Sequence, residues 1–218
     1  MYSIQNELEK NQCRIGVLIM ENVNNAASQE FTEAKTALEK MLREKYACAS
    51  RAELKTLHPI DSYVAYYKKF GYTYHVLAQL ESIVKGKSIP SVLPLVEAMF
   101  MAELKNMLLT AGHDADKAAF PISLKKCTGQ ESFVTMTGRE VTTVAKDCMI
   151  TDMKGILSAI LRGPDQRTAI HKGTKKVLYT VYGLPDIQDE LVYDHLSDIE
   201  HYIKLCSPDA VTTLKQIY

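Results

Sequence analysis

The stretch that decides the fold is SIPSVLPLVEAMFMAELKNMLLTAGHDAD, residues 88–116. Its spacing predicts one long helix, opened by Pro90 and Pro94 and closed near Gly112. Proline is tolerated in a first helical turn, and glycine ends a helix at little cost. Between those signals Val92, Leu95, Val96, Met99, Phe100, Leu104, Met107 and Leu108 recur at helical spacing, while Ala98, Met101 and Leu109 fill the other side. A helix apolar around its whole girth belongs in a core. Interrupted by Glu97, Glu103, Lys105 and Asn106, it is too short and too polar to cross a membrane. At about 100° per residue, Glu103 falls inside the stripe of Val92, Val96, Met99, Phe100 and Met107, with Asn106 one turn beyond. A carboxylate and an amide among methionines are costly unless paired. Two readings follow: a structural salt bridge or hydrogen bond to a neighbouring element, or a pocket face into which His113, Asp114 and Asp116 also point from the helix end.

The 218 residues suffice for one sizeable domain, residues 1–218, and not clearly for two. Lysine plus arginine equals aspartate plus glutamate at 26 each, so no global basic field argues for wholesale nucleic-acid binding. Contact with RNA has to rest on a local patch. Five cysteines are scattered and odd in number, with no C-x-x-C pair, which fits reduced thiols and argues against a disulfide framework or a zinc site. The start, MYSIQNELEKNQ, lacks the basic n-region and apolar run of a signal peptide. A soluble, cytoplasmic protein without a membrane partner is expected.

Residues 14–23 (RIGVLIMENV) predict a buried strand. Ser28 is placed to cap a helix whose stripe is Phe31, Ala34, Leu38, Met41 and Leu42. Tyr63, Tyr66, Tyr67 and Phe70 form a short aromatic row ending at Gly71, read as core packing, with base stacking as the alternative. Residues 74–85 predict a further amphipathic helix. After Phe120–Pro121 the character turns strand-like over residues 132–137, 140–145, 148–151, 156–161 and 176–182, before a final amphipathic helix over 188–206. This order predicts an α+β fold, a helix-rich first half and a strand-rich second, with helices layered on a sheet or sandwich and a C-terminal helix.

No G-x-S-x-G, G-x-x-x-x-G-K or G-x-G-x-x-G motif is present, and no cofactor is expected. His195 and His201, six apart on different helix faces, read as ordinary surface residues. The loop RGPDQRTAIHKGTKK carries five basic side chains, Arg162, Arg167, Lys172, Lys175 and Lys176, against Asp165 alone. It is either a solvated loop or an edge that binds phosphate or carboxylate.

Residues 63–218 resemble a free-standing B3/B4 domain of the bacterial phenylalanyl-tRNA synthetase beta subunit. The matching segments are YYKKFGYTYHVLAQLESIVKGKSIPSVLPLVEAMFMAELKNMLLTAGHDAD, TGREVTTVAKDCMITD and LRGPDQRTAIHKGTKKVLYTVYG. The first sixty residues are less clearly matched. The resemblance implies a central β-sandwich layered by helices, a role in tRNA handling, and a pocket that edits wrongly attached tyrosine. It implies no aminoacylation core, so the chain is not expected to charge tRNA itself. Asp114 and Asp116 match the family's D-x-D turn. Asp165, after Arg162, Gly163 and Pro164, stands one position from where the synthetases carry a glutamate after a glycine pair, and is shorter by one methylene. Where the synthetases place a pocket histidine this chain has Thr110–Ala111, with His113 adjacent.

If the chain edits, the ester of an aminoacyl-tRNA is already activated, and a positioned water with modest oxyanion stabilisation suffices. Asn106 and His113 would then orient water or ester, and Glu103 or Asp165 would read a substrate hydroxyl or ammonium. Arg162, Arg167, Lys172 and Lys175 would grip acceptor-end phosphates. The alternative is a non-catalytic module that binds an amino-acid-like small molecule in the same pocket.

Overall fold

In the computed structural model, residues 2–9 and 12–218 are described. Met1, Lys10 and Asn11, which belong to the stretch read for a signal peptide, lie outside the described residues. The chain is α+β, with six α-helices and eleven strands among those residues. The first half runs β1 (Ile4–Asn6), β2 (Arg14–Glu21), α1 (Gln29–Tyr46), α2 (Arg51–Leu54), α3 (Ile60–Lys69), α4 (His75–Val84) and α5 (Pro94–Asn106). The second runs β3 (Thr110–Asp114), β4 (Ile122–Lys126), β5 (Ser132–Val134), β6 (Glu140–Thr142), β7 (Cys148–Asp152), β8 (Gly155–Ala159), β9 (Gly163–Pro164), β10 (Lys176–Gly183), α6 (Asp189–Cys206) and β11 (Val211–Ile217).

Two sheets hold the molecule together. One has the order β1-β4-β7-β8-β9, parallel only between β1 and β4. The other is antiparallel throughout, in the order β11-β2-β10-β3. The two inner strands of the second sheet, β2 and β10, are buried on both faces, which is why they read as apolar runs rather than alternating ones. One face takes α6 so closely that a Cβ at Gly16 would stand 2.5 Å from Val192 Cγ1. The other face meets the first sheet, where the hydroxyls of Tyr182 and Ser158 lie 2.7 Å apart.

The aromatic row on α3 settles into this core. Tyr63 and Tyr67 are buried, and their hydroxyls donate to the carbonyls of Tyr182 and Ile160, one on each side of the inter-sheet seam. The Tyr66 hydroxyl donates to Asp147 at 2.7 Å. These tyrosines therefore join the helix to the sheets, Tyr63 and Tyr67 as core packing. At α1, Ser28 accepts from the amide of Phe31, and the buried face is Phe31, Leu38 and Leu42.

The long helix of residues 88–116 is corrected. Residues 88–93 are not helical, and α5 starts with Pro94 in its first turn. It ends at Met107, which takes the left-handed conformation at φ +62°. The chain then enters β3 rather than continuing to Gly112. An apolar run buried on all sides gives no period by which helix and strand can be told apart. The stop comes from side-chain chemistry: the Glu103 carboxyl accepts the Thr110 amide at 2.8 Å, turning the chain out of the helix.

Candidate functional site

Strand β3 carries the residues picked out in the sequence, and its alternation divides them. Thr110, Gly112 and Asp114 lie on one face, Ala111 and His113 on the other. His113 is registered opposite Leu178, on the β10 face that carries Tyr182 and looks toward the first sheet. Thr110 instead reaches α6.

The Thr110 end is a closed polar clamp. Its hydroxyl lies 2.6 Å from His195 Nε2. The other ring nitrogen of His195 is 3.3 Å from Asn106 Nδ2, which donates to Asp198 at 2.8 Å, and Lys105 closes the group on Asp198 at 2.6 Å. His195 is fully buried, which overturns its reading as a surface residue: on α6 it shares the inner face with Val192, Leu196 and Ile199. Burial lowers its pKa to about 3, so the ring is neutral. Burial also raises the Glu103 carboxyl to about 8 against the opposing hydrogen bond from Thr110. Of the two readings of Glu103, the geometry is that of a structural hydrogen bond. Glu103 and Asn106 end a helix here. They do not share a pocket with His113, which lies on the opposite face of β3 from Thr110 and about 10 Å further along at about 3.3 Å per residue.

The Asp114 end is a second cluster. The His113 ring is fully buried, its Nδ1 lies 2.9 Å from the Thr168 hydroxyl, and its Nε2 has no hydrogen-bond partner among the described residues. Burial first, then the Arg167 charge, lowers its pKa to about 4. Asp114 closes the D-x-D turn by accepting the Asp116 amide at 3.1 Å. Its other oxygen accepts from Thr174 at 2.8 Å and lies 3.0 Å from His171 Nε2. Asp116 is exposed and lies 3.7 Å from Lys176. Asp165 caps a one-turn 3₁₀ helix, Gln166–Thr168, by accepting the Arg167 amide at 2.6 Å. That turn is what delivers Thr168 to His113.

The basic loop divides in the same way. Arg167 sets its fork on Asp152 at 3.0 and 3.1 Å, and the Asp152 side chain is wholly buried, so this guanidinium is committed to the fold. Arg162 donates to the Thr142 carbonyl at 3.0 Å and covers the Tyr72 ring at 5.3 Å. Lys172 and Lys175 are exposed. The structure thus sets His113 against Thr168, next to Arg167 and Asp165, and on the opposite face of β3 sets Asp114 against Thr174 and His171. Thr168, Asp152, His171 and Thr174 are the residues it adds. Nothing in the sequence marked these four, because their roles come from contacts across the loop.

No protein-family model matches the chain, and no curated protein matches it. Among solved structures, an N-terminal fragment of the phenylalanyl-tRNA synthetase beta-subunit from Pyrococcus horikoshii matches with a TM-score of 0.51 and 13% identity. The likeness is one of fold. It covers 98% of this chain and 54% of the other, so the chain spans about half the length of the structure it matches. Among the described residues, no helix is long and apolar enough to cross a membrane. No group of three or more His, Cys, Asp and Glu side chains is gathered there to hold a metal ion.

The chemistry open to the His113 cluster is limited by its protonation. A neutral imidazole with a pKa near 4 is a poor base at neutral pH. With Nδ1 held by Thr168, Nε2 is left with the capacity for one directional hydrogen bond.

Proposed function

We propose that the chain is one B3/B4-like module that binds the acceptor end of an aminoacyl-tRNA in the cytosol, with His113 Nε2 reading an amino-acid-like group. The observation that carries the reading is that orphaned Nε2, since buried polar atoms without a partner are rare and call for an explanation such as a ligand or water. The likeness in fold to a synthetase beta-subunit fragment supports the tRNA context. Lys172 and Lys175, exposed on the same loop, supply phosphate contacts, which position without specifying. In its enzymatic form the module releases a wrongly attached amino acid in trans, with His113 orienting water or ester carbonyl rather than abstracting a proton. The second reading is a non-catalytic module for a free amino-acid-like ligand. The balanced charge of the chain and the commitment of Arg162 and Arg167 to internal partners favour it.

A panel of mischarged tRNAs, including tyrosyl-tRNA(Phe), separates the two. Editing predicts release of one amino acid above the spontaneous rate, lowered at least about tenfold in His113→Gln, an interaction loss of about 1.4 kcal/mol. Binding should weaken with salt, and a Lys172→Glu/Lys175→Glu variant should flatten the log–log salt slope by about 1–2. Salt-insensitive stabilisation by a free amino acid, lost in His113→Gln, selects the second reading. If neither tRNA nor any amino acid binds, both are refuted.

A further inference from the structure

Away from this site, two thiols and a lysine converge on a cavity that no step above uses. Cys13 lies immediately before β2 in one sheet, and Cys148 opens β7 in the other. Both are buried. They line a cavity of about 220 Å³ together with Lys126, Lys69 and Tyr66. Lys126 Nζ donates to Cys148 Sγ at 3.2 Å. The Cys148 amide donates to the Tyr66 hydroxyl at 3.1 Å and to Asp147 at 2.8 Å, so the backbone beneath the sulfur is fixed.

The two thiols are made unlike each other. The neighbouring Cys13 and the Lys126 ammonium, 3.2 Å from the sulfur, lower the Cys148 thiol despite its burial. The proximity of Cys148, with burial, raises Cys13 well above an ordinary thiol. Cys148, with the Lys126 ammonium on its sulfur, is thus the one disposed to give up its proton and Cys13 the one disposed to keep it, the division of labour of a nucleophile and a resolving partner.

We propose that Cys148 and Cys13 are a peroxide-reactive pair, a site of reversible oxidation to an intramolecular disulfide that ties the two sheets together. The Cys148 thiolate attacks one oxygen of hydrogen peroxide. The O–O bond breaks, Cys148 becomes a sulfenic acid, and the departing hydroxide takes up the proton that the thiol had released, forming water. The Cys13 sulfur then attacks the sulfenic sulfur, the S–S bond forms, and hydroxide leaves with the Cys13 proton as a second water. Two thiols lose two electrons, and peroxide is reduced to two waters. Consuming the thiolate also removes the negative charge that holds Cys13 protonated, so the second step is released by the first. The cavity admits a molecule of peroxide's size, whereas a bulky aromatic disulfide reagent should find the exposed Cys48 first.

The test is intact-mass and peptide analysis of the reduced full-length protein after brief exposure to near-stoichiometric hydrogen peroxide at pH 7. The expected product has lost two hydrogens, joins the Cys13 and Cys148 peptides, and returns to the starting mass with dithiothreitol. Cys13→Ser should stop at a dimedone-reactive sulfenic acid on Cys148, and Cys148→Ser should leave Cys13 reduced. Lys126→Met should slow the oxidation about tenfold at pH 7 by withdrawing the thiolate, and Lys126→Arg should restore most of the rate. Lys126 lies at the surface, so this pair of variants still decides the matter if a serine variant fails to fold. Oxidation that falls first on Cys48, a disulfide with other partners, or a Lys126→Met rate equal to wild type would overturn the proposal.

Discussion

Replacing Glu103 with glutamine should stabilise the protein increasingly as pH rises. The wild-type carboxyl is buried at the end of α5, where desolvation lifts it to about 8 from an ordinary value of 4.5. Between those two values the folded protein holds a proton that the unfolded chain has released, so rising pH favours unfolding. Each pH unit in that window is worth about 1.4 kcal/mol, so the effect from pH 5 to pH 8 is on the order of 4 kcal/mol. Glutamine keeps a carbonyl to accept the Thr110 amide, now met at 2.8 Å, and has no proton to lose. Other groups titrate in the same range. His195 and His113, lowered to about 3 and about 4, act in the opposite sense, their stabilisation being lost as pH falls below about 6.5. The quantity to read is therefore the difference between variant and wild type. Urea unfolding followed by far-UV circular dichroism at pH 5, 6, 7 and 8 measures it, since the chain has no tryptophan to report. The two proteins should be close at pH 5 and should diverge steadily to pH 8. Parallel profiles would refute the argument, because they would mean that Glu103 is ionised in the fold.

Two further variants probe the packing. Arg167→Met removes the fork from the buried Asp152 and leaves its carboxylate with only the Ala119 and Lys154 amides, which should cost about 3 kcal/mol in urea unfolding at pH 7. Gly16→Ala drives a methyl into Val192 and should cost about 1–3 kcal/mol, with Val192→Ala relieving the clash so that the double variant loses less than the sum of the singles.

How far these elements were legible depends on what ended them. Helices α1, α3, α4 and α6 are amphipathic and bounded by local signals such as Ser28 at α1 and Gly71 after α3, and their spans follow from the 3.6 period. Strands β2 and β10 stand out as apolar runs because both of their faces are covered. Strand β3 was absorbed into a helix because LLTAGHD continues an apolar run without a break, while the true stop, Met107 at φ +62°, is a residue that rarely takes that conformation. Strand β11 passed unnoticed for the opposite reason. It is an edge strand whose residues alternate between exposed and half-buried, so VTTLKQI carries little apolar signal.

The error over β3 carried into the candidate site. On a helix, Glu103, Asn106 and His113 fall near one stripe; once the segment turns to a strand at Thr110, the period of two sends His113 to the seam between the sheets and Thr110 toward α6. The composition of the loop at 162–176 was equally ambiguous. Five positive charges look alike in sequence, yet Arg167 is bound by a carboxylate fifteen residues away and Arg162 by a carbonyl twenty residues away. Only Lys172 and Lys175 combine exposure with the absence of an ion pair among the described residues. An arginine in a basic loop is the better phosphate ligand by its own chemistry, but the same planar fork makes it the better partner for a buried carboxylate. Charge count therefore overstates the surface this loop offers to an anion, since Arg167 is taken by Asp152 while Lys172 and Lys175 are exposed without an ion pair among the described residues.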